Sequence, residues 1–317
     1  MNWLWNLGGL SWKKLCSLVW NDILEDDVMG RSAQLSYYFL FALFPLLLFL
    51  VTLFGYFADR GSELRNSLLR YLGTVIPYSA TTLIHTTLDG IAQDKGGLKL
   101  SFGILAAFWA ASNGMSAISE TLNVAYKVKE TRAWWKVRLI SMALTIALAL
   151  LIIAALLLIL MGNTIAERIA AIFGYSHLFT FVWNILQWPL VFFFVLMTFN
   201  LIYYFAPDLR DHQWRWVTPG AIIGIALWLL VSFGFRIYLH FFNSYDATYG
   251  SLGALIILML WFYLTGAAIL IGGEVNSEIE NAAAKAGAPD AKESGEKAPN
   301  EKEQKAARRK NNAATKA

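Results

Sequence analysis

Residues Leu139 to Ala166 read LISMALTIALALLIIAALLLILMGNTIA, a run without a single charge. At about 1.5 Å per residue such a helix is about 42 Å long, more than the roughly 30 Å of a bilayer's hydrocarbon core. Working outward, the charge-free windows 32–58, 100–119, 169–207, 216–235 and 247–273 repeat the pattern. A soluble helical core accounts for one or two such windows; six define a polytopic membrane protein. The runs are continuously apolar and do not alternate, which excludes a transmembrane β-barrel. The fold class expected is all-α with six transmembrane helices, near 35–57, 100–123, 139–161, 179–205, 217–241 and 250–273.

Composition agrees. Apolar residues make up 57% of the 317-residue chain and charged residues 15%, against about 45–50% and about 25% in soluble domains. Nine of the 26 Lys+Arg and five of the 22 Asp+Glu lie in 281–317, so residues 1–280 carry 17 of each. The excess of base belongs to the tail and gives no basic face for nucleic acid. One cysteine, Cys16, excludes an internal disulfide and a Cys-based zinc site.

Basic residues in the connections orient the chain. The 124–138 connection holds Lys127, Lys129, Arg132, Lys136 and Arg138, and 206–216 holds Arg210 and Arg215. Across the membrane, 162–178 holds Arg168 alone and 242–249 holds no Lys or Arg. Both termini are therefore expected in the cytoplasm. The 58–98 segment, with Arg60, Arg65, Arg70 and Lys95, runs against this trend. Its Leu and Ile spacing predicts two short amphipathic helices on the outer side. Residues 1–30, rich in Trp and opening without the charged start of a signal peptide, are expected to form an interfacial amphipathic segment. A helix packed on the bundle is the alternative. The 281–317 tail is expected to be disordered, since it carries little that could enter a core.

Polar residues within spans are costly and hence informative. Asn113, Ser116, Glu120 and Asn123 recur every three or four residues and share one helix face. Arg31, Gln34 and Tyr38 share another, and Glu274 and Asn276 close the sixth span. All lie toward the cytoplasmic side, where they form either a polar vestibule or ordinary helix-end contacts. Arg236 and His240, one turn apart, form a candidate outer-side charge. Arg236 reads as a residue reaching the outer interface, with a role in a substrate path as the alternative. The histidines are scattered, so no metal site is expected, and no GxxxxGK[ST] loop is present to bind nucleotide. No cofactor is expected.

Several stretches together resemble the YihY/BrkB family of bacterial inner-membrane proteins. They are Arg31-Ser32-Ala33-Gln34-Leu35-Ser36-Tyr37-Tyr38, Ala111-Ser112, Leu122-Asn123-Val124-Ala125-Tyr126, Tyr203-Tyr204-Phe205-Ala206-Pro207-Asp208, Trp214-Arg215-Trp216-Val217-Thr218-Pro219-Gly220-Ala221, Thr248-Tyr249-Gly250-Ser251-Leu252-Gly253-Ala254 and Gly273-Glu274-Val275-Asn276. The resemblance covers about 20 to 280. It implies six helices and a bacterial cytoplasmic-membrane location. The family's labels of virulence factor, serum-resistance protein and ribonuclease BN settle no activity.

The function expected is transporter-like: accommodating or moving a small solute or lipid, with membrane lipids as partners and no ATPase of its own. A scaffolding protein of the cell envelope is the second class. A metal-dependent ribonuclease, and nucleic acid as partner, are disfavoured because that chemistry needs clustered His and carboxylates.

Overall fold

The computed structural model describes residues 3–57, 70, 97–173, 177–209, 214–241, 251–288 and 291. Every regular element among them is helical. A 3-10 turn, Leu7–Gly9, precedes α1 (Trp12–Glu25), α2 (Val28–Phe57), α3 (Gly97–Ala125), α4 (Trp134–Phe173), α5 (His177–Phe205), α6 (Pro219–Phe241) and α7 (Ser251–Lys285). Four stretches are long and apolar enough to cross a bilayer: Trp134–Leu160, Ile185–Phe205, Pro219–Tyr238 and Leu255–Lys285. The protein is an all-α, multi-pass membrane protein. α2 and α3, of 30 and 29 residues, fall on the remaining charge-free windows. The expected outer helices, the 242–249 connection, and residues 292–317 of the tail lie outside the described residues.

Local chemistry sets the helix ends. Ser11 caps α1 by accepting from the Lys14 amide at 3.4 Å. α6 opens with Thr218, whose Oγ1 accepts from the Ala221 amide at 3.2 Å, and Pro219 supplies the first turn with a fixed φ and no unsatisfied N–H. α5 stops at Phe205, before Pro207. In α1, Leu15, Val19 and Ile23 are spaced by four and buried, while Trp20 and Leu24, turned away from them, and Trp12 at the start of the helix are exposed. The N-terminal segment thus packs one face on the bundle and offers the other outward.

α7 is the central helix. It packs along α6 and α2 and also meets α1, α3 and the 3-10 turn. Small residues permit this. A Cβ added at Gly272 would stand 2.6 Å from the Gly220 carbonyl oxygen, and one added at Gly220 would meet the Gly272 carbonyl oxygen. Backbone meets backbone here, which only glycine allows. The Tyr203 hydroxyl crosses from α5 and donates to the Ile269 carbonyl at 2.8 Å in the same seam.

The sixth span was expected to close at Gly273–Asn276, with a disordered tail from 281. Instead α7 continues to Lys285. The cause is tertiary. Ile279 and Ala283 are 0% and 1% exposed, and Gly8, at φ 63°, lies so close that a Cβ there would stand 2.5 Å from the Ile279 carbonyl oxygen. The N-terminal segment covers the last turns of α7 and extends the core over residues whose own composition is polar.

The starts of α2, α4 and α6 and the ends of α3, α5 and α7 meet at one end of the bundle. Asn123 bonds Asp208, Asn276 bonds Gly220, and Lys127 bonds Asp22.

Replacing Gly272 with Val is expected to cost about 1–3 kcal/mol through overpacking and to lower the melting temperature in detergent. Gly234→Ala, where an added Cβ meets nothing within 4 Å, is expected to melt like the native protein. Equal melting of Gly272→Val and native protein would contradict the close α6–α7 seam.

Candidate functional site

α2 and α3 lie along one another, and Gly114 brings them close: an added Cβ would stand 3.2 Å from the Ala42 Cβ. Beside this contact runs an open groove of about 510 Å³, within the usual range for small-molecule sites. α2 contributes Tyr37, Tyr38, Phe41 and Ala42. α3 contributes Ala110, Asn113, Ser116, Ala117 and Glu120. Spacings of three and four put each set on one helix face. Phe41 and Tyr37 are exposed, with ring centroids 4.6 Å apart.

The polar groups of the groove are differently committed. The Ser116 hydroxyl bonds Ser141 Oγ at 3.0 Å. Asn113 Oδ1 accepts from Arg138 Nη1 at 2.6 Å, and Arg138 also donates to the Trp109 carbonyl oxygen. The Arg138 guanidinium lies 3.9 Å from the Trp109 ring centroid. A guanidinium only donates, so it fixes the Asn113 amide with its oxygen toward α4. The NH₂ of Asn113, an exposed residue, is left to the groove. Glu120 is exposed and makes no hydrogen bond or ion pair among the described residues.

The groove therefore unites Tyr38, Asn113, Ser116 and Glu120, and the other sequence candidates lie elsewhere. Gln34 is exposed outside the groove lining. Arg31 donates through Nε to the Asp26 carbonyl at 2.8 Å instead of meeting Glu120. Asn276 accepts from the Gly220 amide at 2.9 Å and donates to Thr218 Oγ1 at 3.1 Å, so it caps α6 from α7. Arg236 is exposed near the end of α6, and His240 is helical on the same element.

Asn123 belongs to an interlock at the C-terminal ends of α3 and α5. Its amide donates to Glu130 Oε2 at 2.9 Å, and its oxygen accepts from the Asp208 amide at 2.7 Å. Asp208 accepts from the Thr131 amide at 2.8 Å. Arg132 reaches Glu130 at 2.7 Å, the Ala206 carbonyl at 2.8 Å and the Ser119 hydroxyl at 3.1 Å. Burial works against the charged form of Glu130, but hydrogen bonds from Arg132 and Asn123 outweigh it and hold its carboxyl below the usual value. Ser119, Glu130, Thr131, Arg132 and Asp208 were not singled out from sequence as partners. The signal was there in part: Asp208 follows a helix-stopping proline, and Arg132 sits in the most basic connection.

Glu274 is 1% exposed, and neither carboxylate oxygen has a hydrogen bond among the described residues. It lies one turn before Glu278 on α7, in the electrostatic neighbourhood of Asp22, Asp26 and Lys127. Lys127 Nζ pairs with Asp22 at 2.7 Å. Burial raises the Asp26 carboxyl above its usual value, against the attraction of Lys127. Among the described residues no group of three His, Cys, Asp or Glu is arranged to hold a metal ion.

An all-α bundle of membrane-length helices, joined at one polar face and grooved at its side, defines a multi-pass membrane protein. The chain belongs to a bacterial inner-membrane family, described as Virulence factor BrkB, which matches residues 19–298. YfkH of Bacillus subtilis (strain 168), which carries a ribonuclease-like name, is 41% identical over 251 residues, 78% of this chain and 88% of the relative. UPF0761 membrane proteins of Xanthomonas oryzae pv. oryzae (strain PXO99A) and Xanthomonas campestris pv. campestris (strain B100) are each 24% identical over 268 residues. Those matches cover 82% of this chain and 59% of each relative. No solved structure matches.

Arg132→Ala is expected to destabilise the protein by about 3 kcal/mol, because it strips buried Asp208 and two helix-end carbonyls of a cation. Arg132→Lys is expected to recover only part of this, since an ammonium lacks the guanidinium's fork. The contribution of Glu130 follows from its lowered carboxyl. It is fully present above the unfolded value near 4.5 and is lost as pH falls through the lower folded value. Glu130→Gln is expected to flatten that acid limb in a melting series across pH; an unchanged limb would remove Glu130 as its source.

Proposed function

We propose that the chain is a six-span, transporter-like protein that accommodates or moves a small or lipidic substrate, without its own ATPase. The observation that carries this is the α2–α3 groove: about 510 Å³, open, and lined by both aromatic rings and polar groups. A solid bundle would have no use for an exposed carboxylate within a helix that must cross lipid. Six crossings with both termini cytoplasmic accord with the gathering of alternate helix ends at one face. That face carries Lys127, Lys129, Arg132 and Arg215. The groove then lies in the inner half of the membrane, with Glu120 near the cytoplasmic end of α3.

The orientation is checked by reporter fusions. Those after residues 130, 210 and 291 should report cytoplasm, and those after 90, 175 and 246 the outer side. The groove is checked in a Cys16→Ser background. Ser116→Cys and Glu120→Cys are expected to react with a membrane-impermeant thiol reagent in inside-out vesicles, and Leu148→Cys and Leu258→Cys to stay unreactive. If Ser116→Cys and Glu120→Cys stay silent while Glu130→Cys labels, the polar stripe is packing and a scaffolding role becomes the better reading.

A further inference from the structure

We infer that the groove between α2 and α3 binds an inner-leaflet phospholipid with a primary-amine headgroup, the amine at Glu120 and the glycerol esters at Asn113. This rests on the proposal that the groove accommodates a substrate and names the class.

The argument begins with an unbalanced charge. Glu120 is the sole acidic residue of α3, and the sole cation of α2, Arg31, is engaged with the Asp26 carbonyl. Arg138 on α4 is engaged with Asn113 and Trp109. A carboxylate so placed in a membrane helix favours a cationic partner from outside the chain. Tyr37, Tyr38 and Phe41 line the same groove, and aromatic rings suit an ammonium group.

The second point is spacing. Glu120 and Asn113 are two turns apart, about 10 Å along the helix at 1.5 Å per residue. That is the span of a phosphoethanolamine-glycerol head, and longer than a lone inorganic cation or a small free amine. Glu120 accepts and Asn113, its oxygen fixed by Arg138, donates. The acceptor sits at headgroup depth and the donor deeper, where ester carbonyls lie. Ala110 and Ala117 leave room beside them, and exposed Phe41 and Trp109 continue the surface with apolar rings. An amine-headed lipid matches this order of charge, donor and apolar surface along the membrane normal; an anionic headgroup would place its phosphate against an unscreened carboxylate.

The test uses the full chain reconstituted in vesicles of equal parts phosphatidylethanolamine and phosphatidylglycerol, extracted gently, with bound lipid counted by native mass spectrometry. Phosphatidylethanolamine is expected to be retained about fivefold over phosphatidylglycerol, the scale of one partly exposed ion pair. Glu120→Gln should bring the ratio near parity, and Glu120→Lys should invert it. Glu120 is exposed, so folding should survive both substitutions, and melting temperature is measured alongside. Ala110→Phe, which fills the groove, should remove both lipids. If both lipids are retained equally in native protein and both are lost in Ala110→Phe, the amine assignment falls and the groove reading stands. If Ala110→Phe retains lipid as the native protein does, the groove is not the lipid site and both fall. A native preference that Glu120→Gln and Glu120→Lys leave unchanged also overturns the assignment.

Discussion

A helix that ends at a membrane surface leaves backbone carbonyls and amides without partners, and no water reaches those that are buried. In this chain one guanidinium answers much of that demand. Arg132 reaches the last carbonyls of α5, the Ser119 hydroxyl of α3 and the carboxylate of Glu130, with Asp208 3.8 Å away. Asn123 closes the ring by bonding Glu130 and the Asp208 amide. The end of α3 and the end of α5, far apart in sequence, are held together by one residue of a connection. These contacts set the register in which the ends of α3 and α5 meet.

A second set of contacts completes this end of the bundle. Asn276 caps α6 from within α7, and Asn200 donates to the Trp216 carbonyl at 2.7 Å, so the entry to α6 is fixed from two helices. The N-terminal turn then covers the end of α7, with the Arg215 guanidinium 4.3 Å from the Trp3 ring. This end of the bundle is thus closely tied, whereas the α2–α3 flank keeps a groove. Close packing and an open groove make opposite demands on side-chain volume, and the chain assigns them to different places.

The family match and the ribonuclease-like name of a Bacillus relative point in different directions. Among the described residues, carboxylates gather around Lys127 and in the interlock. The groove holds one carboxylate, Glu120, in a lining of aromatic, amide and hydroxyl side chains.

The sequence by itself determined the helices and their class. Charge-free runs of membrane length need no tertiary information, because the bilayer sets the period and every backbone group is satisfied within its own helix. The stripe on α3 was legible too, since a helix places residues three and four apart on one face. The sequence could not tell which polar residues meet. Asn113, Ser116 and Glu120 share the groove with Tyr38, while Asn123, one turn further, turns into the interlock, and Arg31 serves a carbonyl of its own segment. Nor could it tell that α7 runs to Lys285, for Ile279 and Ala283 become core only when the N-terminal turn lies over them. Those outcomes rest on which surfaces the packed helices bring together, and a periodicity read along one helix carries no record of its neighbours.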